Sequence, residues 1–140
     1  MDTLRHVAVK IHTVNTHWPD AHKSSYIRHA IREYQIHKSL STHPNVVALT
    51  DVFEIDANSF ATVMEFCEGG DLDQYLAMRE QRTLPEREAK IILLQVIAGL
   101  KYLNDRKTPV IHYDLKPGNI LFDHSVAKIT DFGLSKVNLP

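Results

Sequence analysis

The sequence predicts an α+β fold on three observations. Residues 46–66 hold two apolar, strand-like runs on either side of a turn of Asp, Asn and Ser. Two helical patterns, over 20–40 and 85–104, stand on either side of that hairpin. Strand alternation returns in residues 5–12 and in the short runs 120–122 and 126–130.

In residues 5–12, Val7, Val9 and Ile11 alternate with Ala8, Lys10 and His12. Residues 13–24 are polar, and Trp18-Pro19 marks a break. The helix over 20–40 has an apolar stripe of Ile27, Ala30, Ile31, Tyr34 and Leu40. Glu33 lies beside that stripe, so it can face the strand that carries Lys10. Pro44 stops the helix, and 41–45 are a loop. A strand is expected over 46–55, a turn over 56–59 and a returning strand over 60–66. The pair Gly69-Gly70 breaks that strand, and Asp71 can cap a following helix. Thr83-x-x-Glu86 spells a capping box with Pro85 inside the first turn, opening the helix over 85–104. Past Lys90, only Gln95 and Lys101 interrupt its apolar surface, so it belongs inside a larger packed body. The last two strands flank a turn at Asp123-His124-Ser125.

The chain has 140 residues, a formal charge of −1 and 44% hydrophobic residues, a globular composition. A pI near 6.7 gives no electrostatic footprint for direct nucleic-acid binding. No apolar run approaches the roughly 18 residues of a membrane span, and the start carries no signal-peptide pattern. The single cysteine, Cys67, excludes an internal disulfide and fits a reducing compartment. Nine histidines invite a metal reading, but their spacing is loose and cysteine partners are missing. They are therefore read as solvated.

The chemistry concentrates in His112-Tyr113-Asp114-Leu115-Lys116-Pro117-Gly118-Asn119 and Asp131-Phe132-Gly133. Asp114 can accept a proton from an attacking hydroxyl. Asn119 and Asp131 offer the hard oxygen ligands that Mg²⁺ prefers. Lys116 can neutralise charge on a phosphoryl group in transfer. Read alone, Asp131-Phe132-Gly133 is a solvated turn, and Lys10 and Glu33 are an ordinary strand lysine and helix glutamate. The ordered set overrides those readings.

That order, with Val7-Ala8-Val9-Lys10 at the start, resembles the eukaryotic protein kinases over essentially the whole chain. The finer likeness is to the tousled-like serine/threonine kinases. It lies in Lys10-Ile11-His12, Arg32-Glu33-Tyr34, Cys67-Glu68-Gly69-x-Asp71-Leu72-Asp73, Tyr102-Leu103-Asn104 and the run from Ile111 to Asn119. Tyr113, where kinases in general have Arg, fits that family. Lys116, two residues after Asp114, resembles the serine/threonine rather than the tyrosine enzymes.

The resemblance implies a two-lobe fold, with a partial small lobe over 1–66, a hinge over 67–70 and a partial large lobe over 71–140. ATP and Mg²⁺ would be the cofactors. Lys10 would hold the α- and β-phosphates, fixed by Glu33. Ala8 and Leu121 would sandwich the adenine, with Met64 behind it. Backbone groups of Glu65 and Cys67 would bond its edge, and Asp71 would reach the ribose. Asp114 would be the catalytic base, Lys116 the γ-phosphate contact, and Asn119 and Asp131 the magnesium ligands. His112 and Phe132 would stack with His37 and Leu49 as an internal column between the lobes. With Tyr113 unable to grip an activation-loop phosphate, regulation independent of that grip is expected.

The resemblance also implies a protein substrate phosphorylated on Ser or Thr, of histone-chaperone type. It implies a nuclear location, cytosolic otherwise, and dimerisation through a coiled coil that is not in this sequence. No glycine-rich loop precedes Lys10 and no A-P-E motif follows Gly133. The chain is therefore expected to be a kinase-domain fragment. The alternative is a catalytically inactive nucleotide- or partner-binding module.

Overall fold

The computed structural model describes residues 6–137. Strand β1 (Val7–Thr13) leads to helix α1 (Asp20–Leu40), then to strands β2 (Leu49–Asp56) and β3 (Ser59–Glu65). Helices α2 (Leu72–Ala77) and α3 (Glu86–Asn104) follow, then the short strands β4 (Val110–Ile111), β5 (Ile120–Asp123), β6 (Val126–Ile129) and β7 (Lys136–Val137). The fold is mixed α+β, as the sequence predicts. The first three strands form an antiparallel sheet in the order β1-β3-β2. Its register sets Lys10 opposite Thr62 and Ala8 opposite Met64. β5 and β6 form a hairpin, and β4 pairs antiparallel with β7.

Four expectations need correction. The strand expected over 46–55 starts only at Leu49. Val46 bridges Ile129 instead, Val47 N–H donates to Ile129 O at 2.9 Å, and Ile129 N–H donates to Asn45 O at 2.9 Å. Both valines are almost fully buried, so their apolar character serves the core below the sheet. The capping box does not form. Pro85 is the N-cap of α3, and the Thr83 hydroxyl donates back to Glu80 O at 3.1 Å, closing the preceding 3₁₀ turn.

The buried face of α1 is Ala30, Ile36, His37 and Leu40, whereas Ile27 and Ile31 are 39% and 48% exposed. The face is rotated so that Glu33 pairs with Lys10 of β1 and His37 reaches Val47 O, just before β2. Finally, the histidines are not all solvated: His12, His37 and His112 are buried. No cluster of metal-ligating side chains occurs among the described residues.

The main core joins the end of α1 (Ile36, Leu40) to one face of α3 (Ile92, Val96, Leu103) and to the β5–β6 hairpin (Ile120, Phe122, Ile129). Gly99 permits this close approach. A Cβ there would lie 2.9 Å from both Asn45 O and Ile129 Cδ1. On its other side α3 leaves Ile91, Leu93, Leu94 and Ile97 about half or more exposed.

Candidate active site

Alternation in β1 turns Lys10 toward α1, and its ammonium pairs with the Glu33 carboxylate. One turn further along α1, His37 donates from Nε2 to Val47 O at 2.7 Å. Burial pulls its pKa below 6.5, so the ring is the neutral Nε2–H tautomer. His12 stacks on Phe60 at 4.5 Å between ring centroids. Burial, then the nearby Lys10 charge, lowers its pKa too.

Three members of the expected column are in contact. The Phe132 ring lies 4.9 Å from His37 and 5.1 Å from His112, centroid to centroid. Leu49 lines a small cavity together with His37 and Met64. His112 donates from Nε2 to Thr130 O at 2.9 Å and accepts the Asp114 N–H on Nδ1 at 3.2 Å. One neutral tautomer satisfies both bonds, so the buried ring orients the loop that carries Asp114.

In that loop, Asp114 Oδ2 accepts from Lys116 Nζ at 2.8 Å and from Asn119 Nδ2 at 3.0 Å. Asn119 Nδ2 also donates to Asp114 O at 2.8 Å, which fastens the buried amide to the loop backbone. The Lys116 hydrogen bond, chiefly, holds the Asp114 carboxyl below the usual carboxylate range, and the same bond raises Lys116. Asp114 is thus an anion at neutral pH, with an acceptor oxygen in a fixed position. Asp131 takes a left-handed backbone (φ 62°), and Oδ1 accepts the Gly133 N–H at 3.3 Å. A Cβ on Gly133 would meet Asp131 Oδ1 at 3.3 Å and Glu33 Oε2 at 3.5 Å. This glycine is the point where the Lys10–Glu33 pair and Asp131 converge.

The residues assigned to a purine site lie along the crossing from β3 to α2. Met64 stands opposite both Ala8 and Leu49. The Glu65 carboxylate accepts Ala48 N–H at 2.6 Å and takes Lys128 Nζ at 2.9 Å on both oxygens. Burial pushes the Cys67 thiol up to about 11. Asp71 accepts the Gln74 N–H at 2.8 Å, capping α2 as expected, and its backbone bridges Leu121. Gly69 has no room for a side chain, since a Cβ would come 2.7 Å from that of Phe122. The Gly69 and Phe122 N–H groups tie the crossing to β5 through Phe122 O and Gly70 O. Ala8 and Leu121, both partly buried, thus come from the sheet and from the hairpin that meets the crossing.

Sequence reasoning missed Lys128 and Lys136. In the alternation of β6, Lys128 looks like a plain strand lysine. Its pairing with Glu65 is a contact across 63 positions that no local pattern announces. A groove of about 520 Å³ between α1 and the β2–β3 hairpin is lined by Ile27, Ile31, Tyr34, Val52 and Phe60, among others. It holds none of the polar residues described here, so the site is located by its chemistry rather than by concavity.

A lysine–glutamate pair between strand and helix, a histidine–phenylalanine column, and a loop joining a carboxylate, a lysine and an amide together define the protein kinase fold. The protein kinase domain family model matches residues 1–138, and the chain belongs to that family. Within it, the chain is related to the tousled-like serine/threonine kinases. It is 54% identical over 137 residues to serine/threonine-protein kinase tousled-like 2 of Xenopus tropicalis and of Homo sapiens. It is 54% identical over 134 residues to serine/threonine-protein kinase TOUSLED of Arabidopsis thaliana. Each match covers 95% of this chain but only 17–19% of the relative. The chain therefore spans less than a fifth of the length of these curated relatives.

Proposed function

We propose that this chain supplies the phosphate-transfer centre of a serine/threonine protein kinase. The observation that carries this reading is the geometry around Asp114, an ionised carboxylate fixed by Lys116 and Asn119 and oriented by His112. Asp114 is the base that accepts the proton of the substrate hydroxyl. Lys116, within reach of Asp114, faces the γ-phosphate in transfer. Lys10, set by Glu33, holds the α- and β-phosphates of ATP. Ala8, Met64, Glu65, Cys67, Asp71 and Leu121 receive the adenosine. The Glu65 carboxylate is already committed to Lys128 and Ala48, so only its backbone remains for the adenine edge.

The Asp131 carboxylate and the Asn119 amide are hard oxygen donors that fit Mg²⁺. Bound there, the ion would neutralise phosphate charge. The division into a small lobe over 1–66, a hinge over 67–70 and a large-lobe part over 71–140 belongs to the same reading. So do a nuclear location and a histone-chaperone type of substrate.

The test uses the full-length protein. Asp114→Asn is expected to abolish phosphate transfer while nucleotide binding persists. Asp131→Asn is expected to weaken Mg²⁺-dependent nucleotide binding as well. Equal turnover in wild type and Asp114→Asn would show that the base is misassigned. A second reading is a silent nucleotide- or partner-binding module. Nucleotide binding without any turnover in the full-length protein would select it.

A further inference from the structure

Tyr113 immediately precedes Asp114, and its backbone lies in the left-handed region at φ 64°, rare for a bulky residue. Tyr113 is 60% exposed. Lys136 Nζ stands over that ring, 5.2 Å from the centroid. Lys136 belongs to β7, whose register places it opposite Ile111, two residues before Tyr113. The neighbouring Ser135 donates its hydroxyl to His112 O at 3.2 Å. The segment after Gly133 is thus held against the Asp114 loop by backbone pairing, by one hydroxyl, and by an ammonium on an aromatic face.

An arginine at this position could take a phosphate with a two-pronged guanidinium. A phenol ring cannot, but its face attracts a cation with no anion between them. We infer that Tyr113 and Lys136 form a clasp that seats the segment after Gly133 on the Asp114 loop without a phosphate. Both are then positioning residues for the base. An arginine in place of Tyr113 would set a second cation beside Lys136, and the contact would turn repulsive until an anion came between them.

This inference rests on the kinase reading of the site, and its test has one arm that needs turnover and one that does not. Full-length protein is treated with a phosphatase, the phosphatase is removed, and initial rates on casein are measured. Lys136→Met and Tyr113→Leu are each expected to lower kcat about two- to fivefold, the effect of one exposed cation–π contact. KM for ATP stays unchanged, and the double variant is no slower than either single one. Lys136→Arg and Tyr113→Phe, which keep a cation and a ring, retain wild-type kcat. Tyr113→Arg falls at least as far as Tyr113→Leu while dephosphorylated.

Independently of turnover, amide exchange of residues 134–137 is expected to speed up in Tyr113→Leu and not in Tyr113→Phe. The clasp is overturned by wild-type kcat in Lys136→Met, by additive losses in the double variant, or by a wild type that loses its turnover on phosphatase treatment. If no variant and no wild type turns over, the kinase reading fails by itself. Equal exchange in wild type and Tyr113→Leu then decides against the clasp separately.

Discussion

His37 shows what a single side chain does across the site. It donates to Val47 O, packs on Phe132, and lies on the helix that carries Glu33. Its pKa lies below 6.5 in the fold because burial disfavours the charged ring, with Glu33, Lys10 and Asp131 as the charged groups around it. Below about pH 6.5 the unfolded chain binds a proton that the native ring refuses. The contribution of His37 is therefore fully present above that pH and is lost as pH falls through its lowered native value.

His12 has the same sign. Melts of the full-length protein are thus expected to shift to lower temperature between pH 7.5 and pH 5.5. His37→Gln should cost ~1–3 kcal/mol at pH 7.5 and shrink that shift. An unchanged pH dependence would mean that another group carries it. At this scale the sequence was legible wherever residue type implies chemistry, as for Asp114, Lys116 and Asp131. It was not legible for His12, whose burial depends on a helix and a sheet meeting, and His37 was reached only through the family resemblance.

Elements were legible where period and length agree. The helix over 20–40 and the hairpin turn near 57–58 stand as read. The stretch from Val46 to Ala48 was misread because an apolar run reports burial and not pairing. What holds it is the β5–β6 hairpin, some 80 positions away. The same junction depends on Gly99, where helix propensity and packing pull in opposite directions. Alanine is the better helix former by roughly 1 kcal/mol. At 2.9 Å from Asn45 O and Ile129 Cδ1, however, its methyl would have to push α3 off the hairpin. Gly99→Ala is expected to destabilise the domain by ~1–3 kcal/mol in a denaturant titration. A gain in stability would show that α3 can retreat at little cost.

For the molecule as a whole, the open side of α3 governs behaviour in solution. Ile91, Leu93, Leu94 and Ile97 form an apolar surface on a helix whose other side is buried in the core. A contiguous apolar patch of this kind favours self-association. This chain is expected to elute as oligomers or aggregates in size exclusion. Leu94→Lys with Ile97→Lys should shift the elution toward monomer. A wild-type monomer with a cooperative melt would refute this. The apolar run of residues 91–103 made such a surface foreseeable, but which side stays open was decided by where Asn45 and Ile129 sit.

Cys67 offers a use of a different kind. It is the only thiol in the chain, and the fold holds it protonated up to about pH 11. At neutral pH the reactive thiolate is then a fraction on the order of one in ten thousand, against a few per cent for a free cysteine. Electrophilic compounds built to capture a cysteine should leave it almost untouched. The same inertness makes the thiol a built-in gauge of local opening in this chain. Alkylation by iodoacetamide should be slow in buffer and rise steeply in urea, at the concentration where the link between Gly69 and Phe122 gives way.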